Sequence, residues 1–144
     1  MTEGSPVNVN LLSLTSMKVK TDTKEKFHVI TVETSHLSAN MAADLSTYLL
    51  NQLQSSKPNV ALNLKDIRSL DKEASERLVN VQQKFYEQNA SFVICELQPA
   101  VEDFLDKEDL LELMNITPTE SEAWDIIQME EIERELMQDE EDGL

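Results

Sequence analysis

The run NVALNLKDIRSLDKEASERLVNVQQKFYEQN, residues 59–89, decides the fold. Val60, Ala61, Leu62 and Leu64 make an apolar stretch too short for a helix core and too continuous for a strand with one wet face. Such a stretch is expected of a strand covered on both faces. Pro58 and Asn59 mark its start. Residues 65–69 read as a polar bend, Leu70 as one more apolar anchor, and Asp71 as a helix N-cap. From Ala74 the apolar residues Leu78, Val81 and Phe85 follow at spacings of four, three and four, which is one helical face. Asn89 suits the stop, because asparagine tolerates left-handed backbone at a helix end.

Upstream, residues 17–21 and 26–33 read as two strands, with a hairpin between them at 23–25. In the second strand Phe27, Val29 and Thr31 alternate with His28, Ile30 and Val32. Ser38 caps a helix whose face is Met41, Ala42, Leu45, Leu49 and Leu53. Val7, Val9 and Leu11 alternate within residues 1–16, which read as a flexible leader or an extra edge strand. Downstream, residues 91–97 are a second buried strand. Pro99 opens a short helix carrying Val101, Phe104 and Leu105, and a short strand falls near residues 115–117. Thr119 and Glu122 have capping-box spacing and open a last helix, which offers Ala123, Trp124, Ile126 and Ile127 for docking. Met129, Ile132 and Leu136 extend an apolar stripe further, either to pack back on the domain or to meet a partner or second copy. Residues 138–144 read as an acidic, disordered end.

Charge is unevenly placed. The net formal charge is −16 over 144 residues; residues 1–119 hold 17 acids and 11 bases, while residues 120–144 hold 11 acids and only Arg134. This balance excludes nucleic acid or an anionic membrane surface as the main partner, since both need a basic footprint. Cys95 is the one cysteine, so no intramolecular disulfide or Cys-x-x-Cys site exists, and it reads as a small core residue in a reducing compartment. No signal peptide or membrane-length apolar run is found, and a cytoplasmic location is expected. The only glycines are Gly4 and Gly143. Phosphate-cradling loops depend on glycine for close backbone approach, so a nucleotide-using enzyme is not expected, and no cofactor is assigned.

The run Val60-Ala-Leu-Asn-Leu-Lys-Asp-Ile-Arg-Ser-Leu-Asp71-Lys-Glu-Ala-Ser resembles the signature of STAS domains, the fold of bacterial anti-sigma-factor antagonists. That signature is a hydrophobic strand, a bend, then Asp-Ser-Ser/Thr-Gly opening a helix. The resemblance spans residues 17–127 through the order of expected elements. It implies an α/β fold with a mixed sheet of four to five strands and about four helices mainly on one face. The resulting plan is a leader or edge strand at 1–16, a STAS-like domain at 17–128, and a helical extension with an acidic tail at 129–144. The match is partial: Asp71 stands where the family has Asp, but Lys72, Glu73 and Ala74 replace its Ser, phosphorylated Ser/Thr and Gly.

The resemblance further implies a bacterial, cytoplasmic, non-catalytic module in a partner-switching circuit that regulates transcription. Its contact surface would be Asp66, Ser69, Asp71, Lys72, Glu73, Ala74 and Ser75, docking an anti-sigma factor, a serine kinase or a similar regulator. Glu73 occupies the phosphoacceptor position and has no hydroxyl to phosphorylate. Ser69 and Ser75 flank the motif as the remaining hydroxyls; the bland alternatives are a bend serine bonded to local backbone and an acidic residue that simply suits a first turn. The chain is expected to be a monomer or homodimer, and the rival reading is a scaffold subunit that oligomerises through the last helix. His28 reads as a strand residue and His36 as a loop residue, and the two are too few and too separated for a metal site. Asp106, Glu108 and Asp109 lack the twelve-residue loop of a calcium site. No spacing assembles a Ser/His/Asp nucleophile, so an enzyme is not expected.

Overall fold

The structure, a computed structural model, describes residues 7–12 and 17–142. Its main sheet has the strand order β1 (Val7–Leu12), β2 (Met17–Thr23), β3 (Phe27–Glu33), β5 (Asn59–Asn63), β7 (Phe92–Cys95), β8 (Ile116–Thr117). The first three strands are antiparallel, and β3, β5, β7 and β8 run parallel. Two further short strands, β4 (His36–Leu37) and β6 (Ser69–Leu70), pair parallel as a separate ribbon. Four helices complete the chain: α1 (Ala39–Asn51), α2 (Lys72–Glu87), α3 (Pro99–Lys107) and α4 (Glu120–Asp142).

Residues 17–128 thus supply five strands to the main sheet, as expected, and β1 adds a sixth along the β2 edge, with Val7 opposite Asp22 and Leu12 opposite Met17. Between the two readings of residues 1–16, the backbone of 7–12 is strand; residues 1–6 and 13–16 lie outside the described residues.

β5 is buried along its whole length because it has a parallel neighbour on each edge and helices on both faces. Its side chains alternate between two cores. Val60 and Leu62 face a large core with Ile30, Val32, Leu45, Leu49, Leu78, Val81 and Phe85, under α1, α2 and α3. Ala61 faces a smaller one with Phe27, Val29, Val93 and Cys95, under Ala123 and Ile127 of α4. Small residues in β5 and β7 let α4 lie close to the sheet. Three helices therefore share one face and α4 covers the other.

The turn chemistry explains how a domain without glycine ends its helices. Asn89 takes left-handed backbone (φ 57°), and Ala90 N–H reaches back to the Phe85 carbonyl at 2.9 Å. Glu96 is also left-handed (φ 62°), and its Oε2 accepts the Glu120 N–H at 2.7 Å, tying the end of β7 to the start of α4. The Thr119 hydroxyl accepts the Glu122 N–H at 3.3 Å and also donates to the Glu122 carboxylate at 2.9 Å.

Two expectations need correction. α4 continues to Asp142, so residues 138–142 are helical backbone where composition suggested a disordered end. Helical hydrogen bonding propagates from a docked segment at little cost per residue, which composition alone does not register. His36, read as a loop residue, belongs to β4.

Cys95 gives the placement of α4 a test. It is fully buried in β7, and burial, with Glu120 and Glu96 nearby, pushes its thiol up to about 12. Since the thiolate is the nucleophile, maleimide should leave native protein unlabelled at neutral pH and react only after denaturation. Rapid native labelling would show that α4 does not close over β7.

Candidate functional site

After β5 the chain turns through Lys65 and Asp66, both exposed, and returns inward at Ile67, which is fully buried. The Lys65 N–H is held by the Asn63 side chain at 2.9 Å, and the Lys65 carbonyl accepts Gln98 Nε2 at 2.7 Å. Ile67 N–H closes on the Leu64 carbonyl at 3.1 Å. The bend is therefore fastened from both sides although its side chains face water.

The β4–β6 ribbon is made by Leu37 and Leu70, both buried, whose insertion pairs the polar residues preceding them. His36 lies opposite Ser69, and Asp71 follows at the head of α2. His36 Nδ1 is 2.7 Å from Ser69 Oγ, and its Nε2 is 3.1 Å from Asp71 Oδ1. The second Asp71 oxygen accepts the Ala39 N–H at the start of α1, at 3.0 Å. Asp71 is thus the N-cap residue of α2 by position, but its carboxylate serves α1 instead, so the mouths of the two helices are clasped together. Loss of this carboxylate removes one helix cap and the His36 bond. Asp71→Ala should destabilise the fold by about 1–2 kcal/mol. An unfolding free energy within 0.3 kcal/mol of wild type, roughly the scatter of such comparisons, would mean the clasp is not formed in solution.

Sequence spacing does not bring Ser, His and Asp residues together, but the fold does so at one place: Ser69, His36 and Asp71 are hydrogen-bonded in a chain, brought together by a ribbon whose strands are 33 residues apart. Their setting does not suit acyl transfer. The His36 and Asp71 side chains are 48% and 46% exposed, and nucleophilic catalysis of this type draws its strength from a water-excluded site with preorganised donors. The arrangement is a clasp on the surface.

At the mouth of α2, Lys72 and Glu73 are exposed; Lys72 Nζ reaches Glu108 Oε1 at 3.3 Å, joining α2 to the end of α3. Ala74 and Ser75, included in the expected contact surface, turn inward and are fully buried, and the Ser75 hydroxyl donates to the Asp71 carbonyl at 3.2 Å. Helical periodicity forces this: both lie on the flank of α2 that carries Leu78. Asp66, Ser69, Asp71, Lys72 and Glu73 thus form one outward patch over the bend and the free N–H groups of the first turn, while Ala74 and Ser75 support it from beneath. Sequence reasoning missed His36 as part of this patch. The available clue was the polar–leucine pair His36-Leu37, matched by Ser69-Leu70 ahead of the second helix.

Among the described residues, no three His, Cys, Asp or Glu side chains converge to hold a metal ion, and no helix is long and apolar enough to cross a membrane. His28 has Nδ1 3.0 Å from Thr23 Oγ1, while burial, assisted by Lys57, holds its pKa below the usual imidazole value. Its other ring nitrogen, Nε2, is buried without a hydrogen-bond partner.

A mixed sheet with helices on both faces, and an exposed bend leading into its central helix, defines an α/β domain whose accessible chemistry is a patch at one helix mouth. The family model for the STAS domain matches residues 18–123, and the chain belongs to that family. Solved structures agree on the fold. An anti-sigma-factor antagonist domain protein from Planctomyces limnophilus superposes with a TM-score of 0.66 at 18% identity, covering 76% of this chain and 97% of that one. An anti-sigma-factor antagonist from Mycobacterium paratuberculosis gives 0.65 at 13% identity, covering 89% and 99%. A serine-to-glutamate variant of RsbS from Moorella thermoacetica gives 0.65 at 16% identity, covering 76% and 94%. No curated protein matches the chain significantly by sequence.

Proposed function

We propose that this protein is a non-catalytic protein-binding module of a cytoplasmic partner-switching circuit, of the kind anti-sigma-factor antagonists serve, and that it is not switched by phosphorylation at the usual position. The observation that carries the reading is the outward patch of Asp66, Ser69, Lys72 and Glu73 with half-buried Asp71 among them, fastened by the His36–Asp71–Ala39 clasp. A preorganised surface binds without first having to order itself, which favours docking. Glu73 supplies a single fixed negative charge beside the partially positive end of α2, where a phosphate would bring nearly two that come and go. Binding is therefore constitutive. An anti-sigma factor or a serine kinase is the expected partner class, by likeness to the named relatives.

Recovering the partner from the native host and following hydrogen exchange on the complex tests this. Amides of residues 66–73 should be protected on binding, and the recovered protein should have its unmodified mass. Protection confined to another face, or a phosphate on Ser69, would overturn the reading.

A further inference from the structure

α4 docks the wrong way round for an ordinary amphipathic helix. Its first two turns bury Ala123 and Ile127 against the sheet. Its second half meets the domain with polar side chains: Arg134 Nη2 donates to Asn59 Oδ1 at 3.2 Å and to Ser91 Oγ at 3.1 Å, and Glu131 accepts from Asn59 Nδ2 at 3.0 Å. Ser91 Oγ also donates to Glu130 at 2.5 Å. Lys26 pairs with Glu135 at 3.1 Å. The opposite face carries the apolar residues. Met129, Ile132 and Leu136 are 60%, 52% and 60% exposed, with Met137 beside them at 62%. Spacings of three and four align the first three into one continuous row. The row runs into a cleft of about 400 Å³ between α4 and the β2–β3 hairpin, lined by Phe27, Trp124, Gln128 and Ile132 and, from the hairpin, by Glu25 and by two lysines already paired within the chain, Lys24 with Asp22 at 2.9 Å and Lys26 with Glu135 at 3.1 Å.

What surrounds the row specifies its occupant. Residues 120–144 hold 11 acids, and their only base, Arg134, is turned inward onto Asn59 and Ser91. Asp125, one turn before Met129 in line with the row, and Glu133, next to Ile132 on its flank, are both exposed. A second copy of this helix would bring the same acids against these. A helix with an apolar face and cationic flanks complements both features: aliphatic side chains cover the methionine, isoleucine and leucine, and lysine or arginine meets the carboxylates. We propose that the outer face of α4 docks a basic amphipathic helix of a protein partner, at a surface separate from the patch at the mouth of α2.

Trp124 is the chain's single tryptophan and lines the cleft at the end of the row, so its fluorescence reports occupancy. The probe is a tryptophan-free synthetic helix of leucine and lysine with all leucines on one face; the control has the same composition with the leucines scattered round the helix. Titration of the full chain should give saturable binding of the first and far weaker binding of the second, with affinity falling as salt rises. Ile132→Ser and Leu136→Ser should each weaken binding by roughly tenfold, as loss of one buried aliphatic contact implies, with melting unchanged. Asp125→Asn with Glu133→Gln should weaken it and flatten its salt dependence. Glu73→Lys should leave it as in wild type, which separates this result from the fate of the α2 surface. Equal binding of both peptides, or no effect of the two serine substitutions, would overturn the proposal. So would a dimer in sedimentation that Leu136→Ser dissociates, since a second copy would then be the occupant.

Discussion

Leu78→Ala should lower the unfolding free energy by about 2–5 kcal/mol, the range for truncating a buried leucine in a core that cannot fully collapse. Leu78 lies in the middle of α2 and is 2% exposed, packed in the same core as Leu62 of β5 and Leu64 just beyond its end. Little relaxation is available there, because α1 and α2 pack against one side of the sheet together and Phe85 and Phe92, with ring centroids 5.0 Å apart, hold the end of α2. Chemical denaturation checks it. A loss within 0.5 kcal/mol, the size typical of surface substitutions, would mean this face of α2 is not against the sheet.

Asn59→Ala should cost about 1–3 kcal/mol, although it removes only a small polar group, because it orphans buried partners. The Asn59 side chain accepts the Ser91 N–H at 2.8 Å and donates to the Lys26 carbonyl at 3.1 Å, bridging β3, β5 and β7 at their N-terminal ends. It also holds Arg134 and Glu131 of α4. Burial alone would raise the Glu131 pKa, but hydrogen bonds from Arg134 and Asn59 outweigh this and hold it below the usual carboxylate value. With Asn59 gone, Ser91 N–H is left without its acceptor inside the sheet edge, and the second half of α4 loses its central attachment. Faster amide exchange in residues 128–138 should accompany the loss of stability. Normal exchange there, with normal stability, would show that the polar network does not position α4.

The β5–α2 unit was legible because burial of apolar side chains imposes a period, and Val60, Leu62, Leu78, Val81 and Phe85 keep it. The helix stop at Asn89 was legible because few residues other than glycine accept left-handed backbone readily. The β4–β6 ribbon was not: two residues per strand give no period, and the pairing joins residues 33 apart. The His36–Ser69–Asp71 chain went unseen for the same reason. Asn59 was read as a strand boundary, and its role as a hub depends on Arg134, 75 residues away. The lone base among the acids of residues 120–144 was the trace of that contact. The exposed row on α4 was visible as a stripe, but which side faced the domain was decided by hydrogen-bond partners that no spacing reveals.

The patch at the mouth of α2 is most directly tested by the affinity of the recovered partner for wild type and Glu73→Lys. Glu73 is exposed in the first turn, so the substitution sets a positive charge against the positive helix end at a cost of only about 0.3–1 kcal/mol in stability. If the partner docks over Asp66, Ser69, Asp71, Lys72 and Glu73, its affinity should change several-fold while melting stays close to wild type. An unchanged affinity would contradict a docking surface at the start of α2.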